Sequence, residues 1–345
     1  MRLPQDRIVC DMHAFTTALV FGVHHAIADG FSAFFLTERI LHILNARPQR
    51  VDGDDVVSIQ PYFHLLLPRN TAFRLGGYVK LTKTFGRFVF PNRSQYVKRF
   101  RPQYAMKDGC TKTVALKHST VDTERLMAKC KVRGVSVTGA LLASGAIALA
   151  NLVKKESKSR PIKMVMTYPI DMRRFMPPDL RPSFGYCISL TDVKLKAPAA
   201  ATYGTFWELA KEATDGIHDK LTSGEVLLGC KIMHRLFSYE KTMKRFIVFP
   251  GRQYDFGAAY HGDFDKWYDP LKNFDHLRVI RLVGSNPLHD SSRLFFHNLW
   301  RVNSRLCYNL DYAGTVVADG HAHKYAKLTF DLMKMAAGEE TAWSL

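Results

Sequence analysis

The sequence predicts a mixed α/β fold, and three observations support that prediction. Short apolar segments rich in β-branched and aromatic residues recur at 16–23, 111–116, 162–168 and 305–312, as is typical of strands. Longer segments between them repeat apolar residues at helical spacing. The chain has 345 residues, 47% of them apolar, which is enough for a substantial core in two domains or lobes.

The first predicted unit is a strand, a turn and a helix. Residues 16–23 (TTALVFGV) predict a buried strand, and Ala28-Asp29-Gly30 predicts a turn after it. Ser32 is the expected cap of the helix that follows. The predicted buried face of that helix holds Ala33, Leu36, Ile40, Ile43 and Leu44.

Two histidines, His24 and His25, stand at the end of that predicted strand. A neutral imidazole has an unperturbed pKa of roughly 6.5 and can take the proton of an alcohol or amine as it attacks an acyl carbonyl. Successive strand residues point to opposite faces, so only one of the two would enter a given cleft. Asp29 would orient this site or anchor its loop. The alternatives are hydrogen-bonded structural histidines and a metal site, and no second cluster at ligand spacing supports the metal.

The middle of the chain predicts two helices. After the strand at 111–116, Asp122 or Thr123 is the expected cap of a helix that ends near Val132, with Gly134 just beyond it. Residues 134–153 follow without a charge, which is long enough for a membrane span. Their Ala, Gly and Ser content favours instead a buried helix, capped by Ser136 or Thr138.

The second half of the chain continues the alternation. The strand at 162–168 leads into Pro169-Ile170-Asp171-Met172-Arg173-Arg174, where either arginine is a candidate to pair locally with Asp171. The strand at 305–312 precedes a closing helix with Asp319 as its expected cap. Five further histidines lie in no motif, and we expect them to be structural or exposed: His261, His289, His297, His321 and His323.

The formal net charge of +18 is unusual. Its densest part, residues 73–102, contains eight Lys or Arg and no acid, interleaved with aromatic residues. A solvated basic region is one interpretation, and contact with an anionic membrane surface is another. No nucleic-acid-binding module is visible, so no nucleic acid is expected as a partner.

The six cysteines are scattered without CxxC pairs. This usage is typical of reduced thiols in a cytoplasmic protein. We therefore expect a cytoplasmic protein. Peripheral contact with a membrane is a further possibility that the basic segment 73–102 raises. We also expect a monomer.

Residues 20–36 (VFGVHHAIADGFSAFFL) resemble the HHxxxDG core motif of the CoA-dependent acyltransferase superfamily, which includes condensation domains, alcohol acetyltransferases and polyketide-associated acyltransferases. Residues 134–150 and 169–174 also resemble segments of that superfamily, in the expected order. The resemblance implies a two-lobed fold like that of chloramphenicol acetyltransferase, each lobe a mixed sheet with helices. It also implies that the N-terminal lobe is incomplete, with its remainder in 1–120 and the C-terminal lobe in 121–345.

The same resemblance implies roles for single residues. His25 would be the general base, His24 would be structural at the active site, Asp29 would form a salt bridge with Arg173, and Gly30 would permit a tight turn. The implied reaction moves an acyl group from an acyl thioester, acyl-CoA as co-substrate, to an alcohol or amine, with no bound cofactor and no metal. The alternative is a silent, shortened homologue that binds a lipid or acyl ligand.

Overall fold

The fold is taken from a computed structural model, which describes residues 10–11, 14–15, 18–20, 22–25, 27–45, 93–100, 110–154, 160–178, 181, 184–236, 254–266, 268, 277, 279–288, 293–339 and 343. The strands are β1 (Cys10–Asp11), β2 (Ala14–Phe15), β3 (Thr111–Lys117), β4 (Ile162–Asp171), β5 (Ile188–Ala197), β6 (Phe256–Asp263), β7 (Phe295–Val302) and β8 (Arg305–Ala313). The α-helices are α1 (Gly30–Asn45), α2 (Gln95–Phe100), α3 (Thr120–Val132), α4 (Val137–Val153), α5 (Tyr203–Thr222), α6 (Glu225–Leu236) and α7 (Asp319–Ala337). Short 3₁₀ turns follow β4 at Met172–Phe175 and β6 at Phe264–Lys266.

Strands β3 to β8 form one mixed sheet in the described part of the chain, in the order β3-β8-β7-β6-β4-β5. Strand β6 pairs in parallel with β4 and with β7, and the other pairs are antiparallel. This mixed sheet with helices confirms the predicted α/β class. Because β3 belongs to this sheet, a domain boundary at residue 120 would separate it from its neighbour β8; the boundary itself stays a prediction.

Helix α4 lies at the centre of the core, which explains its uncharged sequence. Every residue from Thr138 to Ala150 is buried, because α5, α7 and the sheet surround the helix. The Ser136 hydroxyl accepts the backbone N–H of Gly139, so the predicted cap is confirmed. No single helix among the described residues is long and apolar enough to cross a membrane; α3 and α4 meet the length and composition only together, with a bend of 105° between them.

Helix α1 packs on the opposite face of the sheet. Its Phe34 and Leu41 form a small cluster with Phe264 and with Trp300 of β7. The extended segment 279–288 lies over the same face, because the Trp300 indole N–H donates to the Leu282 carbonyl at 3.1 Å. Helix α1 is therefore held against the face that α4 and α7 leave uncovered.

The predicted strand over residues 16–23 is wrong. Residues 18–20 and 22–24 are in neither strand nor helix, and Leu19 and Val20 are 63% and 77% exposed. A strand needs a neighbouring strand to satisfy its backbone N–H and C=O groups, and no strand pairs with this segment in the ranges that the structure describes. His24 and His25 therefore lie in an exposed turn, and the argument from alternating strand faces does not apply to them.

The predicted caps of α3 and α7 are also wrong. Ser119, and neither Asp122 nor Thr123, caps α3 by accepting the Asp122 N–H. Asp319 is the first residue of α7 instead of its cap, and its carboxylate pairs with Lys112 at 2.8 Å. Several polar residues lie near each of these helix starts, and tertiary contacts decide which of them serves as the cap.

Several sequence predictions lie partly outside the described residues. Of the basic segment 73–102, the structure describes 93–100, and His289 is not described.

Four of the five described free thiols are buried, those of Cys130, Cys187, Cys230 and Cys307, whereas Cys110 is exposed.

Candidate active site

The start of α1 is organised by Asp29. Its carboxylate oxygen Oδ1 accepts the backbone N–H of Ser32 at 2.9 Å, and its carbonyl accepts the N–H of Ala33 at 3.0 Å. This is the geometry of an N-cap, in which a short acidic side chain satisfies a backbone donor of the first helical turn. The predicted cap, Ser32, lies one turn further on and has a different task.

Asp29 forms a buried ion pair with Arg173, in the turn after β4. Nη1 of Arg173 donates to Oδ2 at 2.8 Å, and Nη2 donates to Oδ1 at 3.2 Å. The side chains are 3% and 1% exposed for Arg173 and Asp29. Arg173 also contacts Asp171 at 3.2 Å, so the pairing implied by the family resemblance and the local pairing both occur. The predicted Asp29–Arg173 partnership is confirmed.

The Ser32 side chain joins the two segments of this site. Its hydroxyl accepts the backbone N–H of Gly185 at 3.0 Å and lies 2.8 Å from the Gly185 carbonyl oxygen. The backbone N–H of Cys187 donates to Oδ2 of Asp29 at 2.8 Å. Residues 29–32 and 185–187 are therefore fixed to each other through direct hydrogen bonds.

The electrostatics of this cluster favour the charged form of Arg173. Burial acts to lower the pKa of Arg173, but the hydrogen bonds and negative charge of Asp29 outweigh it, so the pKa is raised. The Phe31 ring lies under the guanidinium, 4.2 Å from its central carbon, and adds a cation–π contact. Burial raises the pKa of the Cys187 thiol to about 11, so this thiol stays protonated near neutral pH.

His25 is exposed and carries one defined hydrogen bond. Its Nδ1 lies 2.7 Å from the carbonyl oxygen of Ala28. A carbonyl oxygen can only accept, so the neutral ring carries its proton on Nδ1 and keeps the lone pair on Nε2. The edge of the ring meets Tyr186, with 5.5 Å between ring centroids. The arrangement leaves Nε2 as the basic atom of this side chain.

His24 lies beside His25 in the same exposed turn, which closes through a hydrogen bond from the Ile27 N–H to the His24 carbonyl at 3.0 Å. The described contacts of His24 are thus those of a residue that shapes the turn. Its position fits the structural role that was predicted for it, which stays a prediction.

Gly30 is needed for a reason other than the predicted one. It is the first residue of α1 and lies inside the helix, after the turn. A Cβ built on Gly30 would overlap Nδ1 of His261 and lie 2.9 Å from its Cε1. A larger residue is disfavoured here because the His261 imidazole packs closely against Gly30, and not because the backbone is left-handed.

The sequence interpretation did not identify three residues of this site: Tyr186, Cys187 and His261. Tyr186 and Cys187 lie just before β5, outside the segments on which the family resemblance rests. His261 was expected to be structural or exposed, and it is partly buried against the loop of the HHxxxDG motif. No local pattern marks it, because its partner Gly30 lies in a distant part of the chain.

Among the residues that the structure describes, no group of three or more His, Cys, Asp or Glu side chains has the geometry to hold a metal ion. The site as described is therefore a histidine on a turn that a buried ion pair anchors.

Comparison with known proteins gives one family match. Residues 109–245 match the family model described as the C-terminus of phthiocerol/phthiodiolone dimycocerosyl transferase. No curated protein matches the chain by sequence.

Solved structures share the fold at low identity. Trichothecene 15-O-acetyltransferase TRI3 from Fusarium sporotrichioides has a TM-score of 0.67 and 13% identity, over 89% of this chain and 64% of that one. Polyketide synthase associated protein 5 from Mycobacterium tuberculosis has a TM-score of 0.54 and 13% identity, over 92% and 72%. A condensation domain of the enacyloxin polyketide synthase has a TM-score of 0.54 and 14% identity, over 93% and 58%.

The chain thus spans less than two thirds of the length of the Fusarium acetyltransferase. Its mixed sheet matches the sheet of condensation domains and of chloramphenicol-acetyltransferase-like enzymes, and the family match covers β3 to α6. The family match and the shared fold thus fit the CoA-dependent acyltransferase superfamily, which the sequence resembles.

Proposed function

We propose that this protein transfers an acyl group from an acyl thioester to an alcohol or amine, with acyl-CoA as the donor and His25 as the general base. The observation that carries the proposal is the hydrogen bond that sets the tautomer of the His25 ring. Its Nδ1 is tied to the Ala28 carbonyl at 2.7 Å, so Nε2 offers a lone pair from an exposed position on an anchored loop.

The reaction follows from that lone pair. Nε2 takes the proton of the acceptor hydroxyl or amine as its oxygen or nitrogen attacks the thioester carbonyl. The new C–O or C–N bond gives a tetrahedral intermediate, the C–S bond then breaks, and the leaving thiolate takes the proton back from the imidazolium. The products are an ester or amide and the free thiol, and His25 returns to its neutral form.

Direct attack fits the chemistry around His25. The Cys187 thiol lies on the segment that is bonded to Asp29, but burial raises its pKa to about 11, which makes it a poor nucleophile. Asp29 is fully engaged by Arg173, Ser32 and Cys187, so its role is to hold the loop and not to move protons. A general base typically contributes ~100- to 10,000-fold in rate.

The donor, the acceptor and the cellular setting remain parts of this proposal. The net charge of +18 would attract an anionic donor such as CoA toward the protein. Contact of the basic segment 73–102 with an anionic membrane surface, in a cytoplasmic monomer, is a separate proposal that requires its own vesicle-binding test.

The experiment is a thiol-release assay on the full chain with a panel of acyl-CoA donors, from acetyl to long-chain, and a panel of alcohols and amines. The expected result is thiol release that depends on the acceptor, with one equivalent of ester or amide for each thiol. Release at the same rate without an acceptor, or no release with any pair, would overturn the proposal.

A matched control exists within the chain. His323 is also exposed, and its Nδ1 also bonds a backbone carbonyl, that of Asp319 at 2.8 Å, but it lies on α7 away from the anchored loop. His25→Ala is expected to abolish acceptor-dependent release, and His323→Ala is expected to leave it unchanged.

A further inference from the structure

A second histidine, His261 of β6, lies against the loop that carries His25. Its ring occupies the space where a side chain of Gly30 would begin. On its other side the ring meets the indole of Trp300, with 5.7 Å between ring centroids, and the Trp300 N–H is fixed to the Leu282 carbonyl at 3.1 Å. The imidazole is thus held between an immobilised indole and the backbone at the start of α1.

A chain of hydrogen bonds fixes the tautomer of His261. The buried carboxylate of Asp311 accepts the Asn298 side-chain N–H₂ at 2.8 Å, the Asn286 backbone N–H at 2.8 Å and the Thr113 hydroxyl at 2.7 Å. Because the Asn298 amide nitrogen donates to Asp311, its oxygen faces His261, and Nε2 of His261 lies 3.0 Å from that oxygen. The Asn298 oxygen can only accept, so His261 carries its proton on Nε2 and its lone pair on Nδ1, the atom nearest Gly30.

The same oxygen of Asn298 also accepts an N–H of the Asn286 side chain at 3.0 Å. Two donors on that oxygen and an acceptor at its nitrogen leave the Asn298 amide a single orientation. Such a network of linked hydrogen bonds is expected to specify one arrangement of its groups. The face of His261 that meets Gly30 is therefore set by residues of β3, β7 and β8.

Burial lowers the pKa of His261, which favours its neutral form, and the nearby charges of Asp29 and protonated His25 act on it in opposite directions. A neutral ring at this place adds no positive charge beside His25 when His25 accepts a proton.

We propose that His261 is a positioning residue for acyl transfer: its ring, oriented by Asn298 and Asp311, is the surface on which Gly30 rests, and it thereby sets the position of Asp29 and of the His25 loop. The proposal rests on the proposed function only in that it assigns the His25 loop a catalytic task. A misplacement of about 1 Å at a reacting group costs ~100-fold in rate, which is the scale on which this contact would act.

The test is a variant cycle with three readouts on the full chain: melting temperature, the kcat and KM of acyl transfer, and ¹⁵N NMR of the imidazoles. The variants are Gly30→Ala, His261→Ala and the double variant, in which the new methyl group enters the space that the ring leaves. Gly320→Ala on α7 is the matched glycine control, because a Cβ there meets nothing within 4 Å.

The expected result is a fall of ten- to 100-fold in kcat, with KM nearly constant, in both single variants, and recovery of most of that loss in the double variant. Gly320→Ala should match the wild type. Equal kcat in His261→Ala and wild type, or a double variant as slow as Gly30→Ala, would overturn the proposal.

The NMR readout separates positioning from simple stability and does not require turnover. In the wild type, His261 is expected as the Nε2–H tautomer and His25 as the Nδ1–H tautomer, and His261→Ala should shift His25 away from its single tautomer while the protein stays folded. An Nδ1–H tautomer at His261, or an unchanged His25 signal in His261→Ala, contradicts the proposal. If the wild type shows these tautomers and yet transfers no acyl group, the proposed function fails and the positioning contact stands.

Discussion

Removal of the Asp29 carboxylate should destabilise the protein strongly, because it leaves Arg173 buried without its main partner. Arg173 is 3% exposed in its side chain, and truncation of one member of a buried pair costs about 3–5 kcal/mol. Two backbone donors, the N–H groups of Ser32 and Cys187, also lose their acceptor. Arg173 retains Asp171 at 3.2 Å and the Gly185 carbonyl at 3.0 Å, and these contacts offset part of the loss.

The assay is thermal unfolding of Asp29→Ala at pH 7. Unfolding entropy near 2.1 cal/mol/K per residue, applied to 345 residues, converts 3–5 kcal/mol into a fall of about 4–7 °C in the melting temperature. The matched control is Asp331→Ala, which removes an exposed carboxylate 2.6 Å from Lys327 and should cost less than about 1 kcal/mol.

A double variant tests whether the uncompensated charge is the cause. Asp29→Ala with Arg173→Met removes both charges and should be more stable than Asp29→Ala alone, because no unpaired guanidinium remains buried. A melting temperature for Asp29→Ala within 1 °C of the wild type, or a double variant whose loss equals the sum of the two single losses, would refute the reasoning.

Two further predictions concern stability away from the site. His118 is 2% exposed, stacks on Phe330 at 4.0 Å, and has no hydrogen-bond partner for either ring nitrogen among the described residues. Burial lowers its pKa to about 4, below the unfolded value of roughly 6.5. Its contribution of about 3 kcal/mol to the free energy of unfolding is therefore present above pH 6.5 and lost as the pH falls toward 4. His118→Phe should make the free energy of unfolding, measured by urea denaturation, less dependent on pH over that range. His323→Phe on the surface should leave the pH dependence unchanged. Gly139→Ala should lower the free energy of unfolding by about 1–3 kcal/mol, because its Cβ would stand 2.5 Å from a carbonyl oxygen of α5. The control is Gly216→Ala, whose Cβ would meet nothing within 4 Å and which should be neutral or raise the free energy of unfolding by up to about 1 kcal/mol. Equal effects of the two glycine variants would contradict this account.

The elements that the sequence predicted correctly are those with a strong local pattern. Residues 134–153 carry no charge because α4 is enclosed on all sides, and Gly134 ends α3 with a φ of +59°, which favours glycine. The strand at 111–116 was likewise found, within one residue of its end at Lys117.

The errors arise where the outcome depends on a partner elsewhere in the chain. Residues 16–23 have the composition of a strand, but composition does not supply the neighbour that a strand requires. Asp29 and Ser32 are both good caps by residue type. The choice between them depends on tertiary partners, because Arg173 bonds the Asp29 carboxylate and Gly185 bonds the Ser32 hydroxyl.

The candidate site divides in the same way. The HHxxxDG motif pointed to His25 and Asp29, and the resemblance of residues 169–174 supplied Arg173, which the structure places on Asp29. His261 carries no such motif, because its relation to Gly30 is a matter of packed shapes between α1 and β6. Motifs and hydrophobic periodicity identify residues from their neighbours in sequence. Packing between segments that are distant in sequence leaves no such pattern.

The central claim is that Nε2 of His25 removes the proton of the acceptor. The most direct measurement is the rate of acceptor-dependent thiol release by His25→Ala and by wild type, each at a temperature where circular dichroism shows the folded protein. We predict a loss of at least ~100-fold in kcat for His25→Ala, with His323→Ala at the wild-type rate. A folded His25→Ala protein that turns over at the wild-type rate would contradict the account.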